Sequence, residues 1–142
     1  MDRTEMFEGL EEFDHEQYRE EVERRWGHSD AYQESMRRTR AYGKEDWTRI
    51  TEEGETVFGG LAELMAEGAP AAGRAAMDLA EAHRLHIDRW FYPCSHGMHR
   101  NLADMYTADP RFEAYFEQRG EGLAVFVQDA IRANEARWRN RS

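Results

Sequence analysis

The chain has 142 residues, enough for one ordinary domain with a real core and too few for a two-domain enzyme. Nineteen basic against twenty-nine acidic residues leave a net charge of −10, which opposes binding to nucleic acid phosphates or anionic membranes. No run reaches the ~18 apolar residues of a membrane span, Met1 to Leu10 is no signal peptide, and the lone Cys94 excludes an internal disulfide. These features point to a cytoplasmic protein with no membrane partner.

Valine and isoleucine together number seven, too few to furnish a sheet, while Ala, Glu, Arg, Leu and Met dominate. The acidic excess is uneven: residues 1–30 carry −7, residues 31–70 carry −3, and the rest is neutral.

In chain order, Asp14 and Gln17 form a capping-box pattern, and Tyr18, Val22 and Trp26 follow at helical spacing until Gly27. Asp30 and Gln33 open a second helix toward Tyr42. Trp47, Ile50, Gly54, Val57, Leu61 and Leu64 mark the longest amphipathic stretch, which Gly68 and Pro70 stop. Gly54, Gly59 and Gly60 weaken it, so a kink, a close helix approach or reduced order is expected there. Leu79, His83, Ile87 and Trp90 line a helix from Ala75 to Phe91, ended by Pro93. Met98, Asn101 or Leu102, and Met105 share one side of the next. Asp109 caps a helix begun by Pro110, with Phe112, Tyr115 and Phe116 on its apolar face. Leu123, Phe126 or Val127, Ala130, Asn134 and Trp138 mark the last. No segment alternates like a strand, so the expected fold is all-α with about seven helices.

Residues 83–106 concentrate the chemistry: four of six histidines, the cysteine, Trp90, Phe91, Met105 and Tyr106. His83/His86 and His96/His99 are i, i+3 pairs that could share a helix face, but the set matches no established metal signature. No metal or cofactor is therefore expected. Cys94 with a histidine base would suit nucleophilic catalysis, although a buried thiol is the commoner state of such a residue. A small-molecule pocket is the third reading, because His83, Asn101 and Asn134 are polar handles on otherwise apolar faces.

The run from Ala76 to Trp90 resembles the central segment of the TipA family's C-terminal antibiotic-recognition domain, the TipAS domain. So do Trp26-Gly27 with Asp30-Ala31-Tyr32, Tyr42 leading to Lys44-Glu45-Asp46-Trp47, and Met98-His99. Met105-Tyr106 with Asp109 and Arg111-Phe112, and Gly122-Leu123-Ala124 with residues 129–134, complete the series. The resemblance extends from about Phe13 to Trp138. It implies a globin-like all-α bundle around a ligand cavity that engulfs bulky, heterocycle-rich natural products such as thiopeptides. The stand-alone form, without the MerR-type DNA-binding part, can sequester the drug. The family prototype captures a thiopeptide through a cysteine seven residues after the position matching Cys94. Asn101 stands there in this chain, which points to reversible binding.

The expected function is therefore recognition of a small-molecule antibiotic without catalysis and without direct nucleic-acid contact. The rival readings are an enzyme acting on a natural product and an effector fragment of a MerR-type regulator. Candidate ligand contacts are Trp26, Tyr32, Trp47, His83, Ile87, Trp90, Phe91, Met98, His99, Asn101 and Met105. Trp90→Ala is expected to weaken binding more than the fold. The chain is treated as one domain, with residues 1–66 as a mobile lid and residues 71–142 as a stable base. The acidic, glycine-broken first part buries less apolar surface against its ordering entropy.

Overall fold

The computed structural model describes residues 29–141. The expected helix carrying Tyr18, Val22 and Trp26 lies outside them. Among the described residues the chain forms six helices and no strand: α1 Asp30–Thr39, α2 Lys44–Ala66, α3 Arg74–Trp90, α4 His96–Ala108, α5 Pro110–Glu117 and α6 Leu123–Arg141. Helix α6 packs on α3 and α4, and α2 packs on α3 and also touches α6.

The termini follow capping chemistry. Ser29 caps α1 by accepting the Tyr32 N–H at 3.1 Å, which places Asp30 inside the first turn, where its charge favours the helix dipole. Helix α1 stops at Thr39, three residues short of Tyr42. In α2, Asp46 reaches back to the Gly43 N–H at 3.0 Å. Ser95 caps α4, and Asp109 caps α5 ahead of Pro110 as expected. Gly68 follows the end of α2 and Gly122 immediately precedes α6, at φ +79° and +92°, a region that favours glycine.

Helix α2 runs unbroken through Gly54, Gly59 and Gly60, and of the three only Gly60 is closely approached by another helix. A Cβ on Gly60 would stand 3.0 Å from Leu79 Cδ1, so α3 packs directly on that bare backbone. Glycine here costs about 1 kcal/mol in helix propensity, offset by tighter packing between α2 and α3.

The main core gathers Val57, Phe58 and Leu61 of α2, Ala76 and Ala80 of α3, Ala103 and Tyr106 of α4, Phe116 of α5, and Leu123, Val127 and Ile131 of α6. A second cluster joins Trp47, Ile50, Ile87, Trp90, Phe91 and Cys94, with Tyr42, Tyr92, Met98 and Leu102 packed on it. Because α2 supplies both clusters, a lid boundary after residue 66 would cut through the main core. Helix α1 differs: Thr39 is its one buried residue. On α6, Trp138 departs from its expected apolar face and is 51% exposed.

Candidate functional site

Helix α3 carries two adjoining centres one turn apart, at His83 and at Ile87 to Trp90. Its i, i+4 spacing sets both on the same buried side.

The second cluster is the aromatic centre. Tyr42 meets Trp47 edge-on at 5.9 Å and Trp90 at 5.4 Å, and Trp47 lies 6.4 Å from Phe91. These are attractive geometries for rings with negative faces and positive edges. The Tyr42 hydroxyl donates to the Trp90 carbonyl at 2.6 Å, and Arg38 donates to the Asp88 carbonyl at 2.7 Å. Both satisfy carbonyls in the last turn of α3, which lack partners within the helix. The Trp90 indole donates to Glu53 at 2.8 Å, and Arg89 stands over its ring. Trp47 is 2% exposed, and its Nε1 is the one buried side-chain nitrogen or oxygen among the described residues without a hydrogen-bond partner. An orphaned buried donor costs about 1–3 kcal/mol.

The second centre is a histidine pair. His83 Nδ1 and His99 Nε2 lie 2.9 Å apart, so one ring donates and the other accepts. Phe58 at 4.9 Å and Tyr106 at 6.2 Å wall His83 in. Burial, then the neighbouring His99 and His86, hold His83 well below the ordinary imidazole value. Burial, then the charge of Arg84, push His99 down to about 4. Both rings are neutral at pH 7. His86 donates from Nε2 to the Ile50 carbonyl at 3.0 Å and ties α3 to α2.

A polar hub adjoins them. Glu81 accepts from Arg84 at 2.6 Å and from His96 and Asn134, each at 2.9 Å. Burial raises this carboxyl, but the hydrogen bonds from Arg84 and Asn134 outweigh that effect and hold it at about 2. Thus Asn134 is a structural partner of Glu81. His96 completes the hub by stacking on Trp138 at 4.4 Å.

Of the expected ligand contacts, Trp47, Ile87, Trp90, Phe91 and Met98 converge in the aromatic centre, and His83 and His99 pair beside it. Tyr32 is half-buried in α1, Met105 is half-buried in α4, and Asn101 is exposed. Trp26 lies outside the described residues. The i, i+3 histidine pairs do not act as pairs: His83 bonds His99 across two helices, and no group of three metal-capable side chains occurs among the described residues. The nucleophile reading of Cys94 meets a thiol 1% exposed, which burial pushes up to about 11. An attacking thiolate needs the opposite shift. Trp90 changes character too. At 6% exposure it is a core residue, so its truncation must leave a cavity.

Tyr42, Glu53, Glu81 and His96 were missed as organisers of the site. Apart from Glu81–Arg84 and Tyr42–Trp47, the contacts that give them this role span 15 to 53 positions, beyond any local spacing signal.

The profile of the TipAS antibiotic-recognition domain matches residues 18–134. The chain belongs to that family. It is 44% identical over 133 residues to the transcriptional activator TipA of Streptomyces coelicolor, covering 94% of this chain and 53% of TipA. The transcriptional activator mta of Bacillus subtilis is 35% identical over 135 residues, covering 92% of this chain and 51% of mta. The chain thus spans about half the length of these curated relatives. Among solved structures, Streptomyces lividans TipAS in complex with nosiheptide superposes with a TM-score of 0.85 at 43% identity, covering 97% of this chain and 96% of TipAS. The antibiotic-binding domain of a TipA-class multidrug resistance regulator gives 0.60 at 40% identity, covering 65% of this chain and 98% of that one. The globin-like, all-helical TipAS architecture is therefore the fold of this chain. No described helix is long and apolar enough to cross a membrane.

Proposed function

We propose that this domain binds a bulky, hydrophobic, heterocycle-rich antibiotic of thiopeptide type, and does so reversibly in the cytoplasm. The observation that carries the reading is the near-complete superposition on TipAS in complex with nosiheptide. The aromatic centre supports it, because rings and a thioether give apolar contact area for thiazole-rich macrocycles. Trp47, Ile87, Trp90, Phe91 and Met98 form one wall in this reading. His83 and His99 support that wall, and Tyr32, Asn101 and Met105 border it.

Binding is favoured over catalysis by the chemistry of the titratable groups. His83 and His99 are neutral and bonded to each other, and the Cys94 thiol stays protonated. The relatives named for transcriptional activation favour a second role for the same site, as the effector part of a longer regulator. The −10 charge supports an absence of direct nucleic-acid contact by this chain.

Ligand closure falls to the N-terminal side in this reading. The expected lid over residues 1–66 is shortened, because α2 is locked into the core by Val57, Phe58 and Leu61. Among the described residues the moving part is α1 with the 40–43 connector. It docks on α3 through the Arg38 and Tyr42 hydrogen bonds.

Calorimetric titration with nosiheptide tests the proposal. Saturable binding is expected, and at a ligand concentration of 100 Kd the melting temperature should rise on the order of 8 °C. Intact mass after incubation should be unchanged, because Asn101 is no nucleophile and Cys94 is buried. Absence of heat and of any melting shift rejects the function. A covalent adduct rejects its reversibility.

A further inference from the structure

We propose that the Trp47 indole N–H is a ligand-specifying donor, held for a neutral acceptor of the bound molecule such as an amide carbonyl oxygen or an azole nitrogen. This rests on the antibiotic-binding reading above and adds to it the atom that would select the ligand's acceptor.

Four other polar side chains at the aromatic centre have partners. Tyr42 donates to Trp90 O, Trp90 donates to Glu53, His86 donates to Ile50 O, and the Cys94 thiol lies 3.7 Å from Ser95 O. Trp47 Nε1 has none, although its ring sits beside theirs at 2% exposure. A phenylalanine would fill most of the same space without leaving a buried donor orphaned, so the free protein gains nothing from the indole nitrogen. The donor acquires a use when an acceptor arrives. In a desolvated site a donor that is already stripped of water discriminates strongly between ligands with and without an acceptor.

Access runs through Tyr42. This half-buried ring lies on the 40–43 connector, packs edge-on against both Trp47 and Trp90, and is pinned by its hydrogen bond to Trp90 O. Movement of the connector uncovers the Trp47 ring and leaves α2 in the core. Closure over the ligand then completes the hydrogen bond in a dry site.

The test compares wild-type protein with Trp47→Phe in nosiheptide titrations, together with their melting temperatures without ligand. The free variant should melt at or above the wild-type temperature, and its affinity should fall about tenfold or more. In wild-type protein, nosiheptide should move the Trp47 Nε1–H resonance downfield and slow its exchange with solvent. Equal affinity for both proteins overturns the donor role and leaves antibiotic binding standing. A lower melting temperature with unchanged affinity also overturns it, since the donor would then serve a buried water. If the variant does not fold, the wild-type resonance decides: an unmoved signal at saturation overturns the proposal. Failure of wild-type protein to bind nosiheptide removes the function on which it rests, and the donor role with it.

Discussion

Trp90→Ala should lower the stability of the free domain by about 3–5 kcal/mol. The ring is buried between α2 and α3, Tyr42 stands on it edge-on, and its indole donates to Glu53. Truncation removes the transfer free energy of a large side chain and leaves a cavity lined by Tyr42 and Ile87. It also strips a half-buried carboxylate of its donor. Trp90→Phe keeps most of the volume and loses the Glu53 bond, so it should cost about 1–2 kcal/mol. Urea denaturation of the two variants separates packing from the hydrogen bond. Equal small losses, both under about 1 kcal/mol, would show that the ring is not core. This reverses the emphasis of the sequence reading, because a stacking platform that is also core cannot be removed without disturbing the fold.

Acid should destabilise the domain steeply between pH 6.5 and about 4.5. The His99 imidazole is held at about 4 against an ordinary 6.5, with burial as the largest cause. In that interval the unfolded chain takes up a proton that the folded chain refuses. Stability is therefore fully present above pH 6.5 and falls as the pH drops, by about 1.4 kcal/mol per unit for each such histidine. His99 alone contributes about 3 kcal/mol over the span to its folded value. His83 and His86 are depressed in the same direction, also chiefly by burial, and steepen the slope. Glu81 acts elsewhere. Its carboxyl is held at about 2 against 4.5, so its contribution is lost only below pH 4.5. Urea midpoints measured from pH 7.5 to 4.5 should fall throughout the lower part of the range. His99→Gln keeps a hydrogen-bonding partner for His83 and should reduce the slope by about one proton. A flat wild-type midpoint down to pH 5 contradicts the buried, neutral pair.

Most helices were legible because their signals are local. The Asp109-Pro110 start, the Gly68 stop and the Leu79–His83–Ile87–Trp90 stripe each lie within a few residues of the structure they specify. Ser29 caps α1 in place of the expected Asp30, and Ser95 caps α4. For the glycines of α2 the sequence left a kink, a close helix approach or reduced order open, and at Gly60 it is the close approach, made by Leu79 of another helix, which no spacing along α2 reveals. The site was legible as a set of residues and opaque as a set of partners. Periodicity put Trp47, Ile87 and Trp90 on buried faces. Only the packing of α3 and α4 against α6 brings His83 to His99, and only the turn after Thr39 brings Tyr42 to Trp90. Trp138 shows the converse, since helical spacing assigned it to the core and His96 holds it at the surface.

The central claim is that this domain engages a thiopeptide by closing its N-terminal side over a preformed helical base. Amide hydrogen exchange with and without saturating nosiheptide tests it most directly. Without ligand, α1 and the 40–43 connector should exchange much faster than α2, α3 and α6, because Thr39 is the one buried residue of α1 and hydrogen bonds from Arg38 and Tyr42 alone tie this side to α3 carbonyls. With nosiheptide, protection should rise most in that segment and around Trp47, while the cores of α3 and α6 change little. Unchanged exchange at every amide, or protection confined to α5 and α6, would contradict the account.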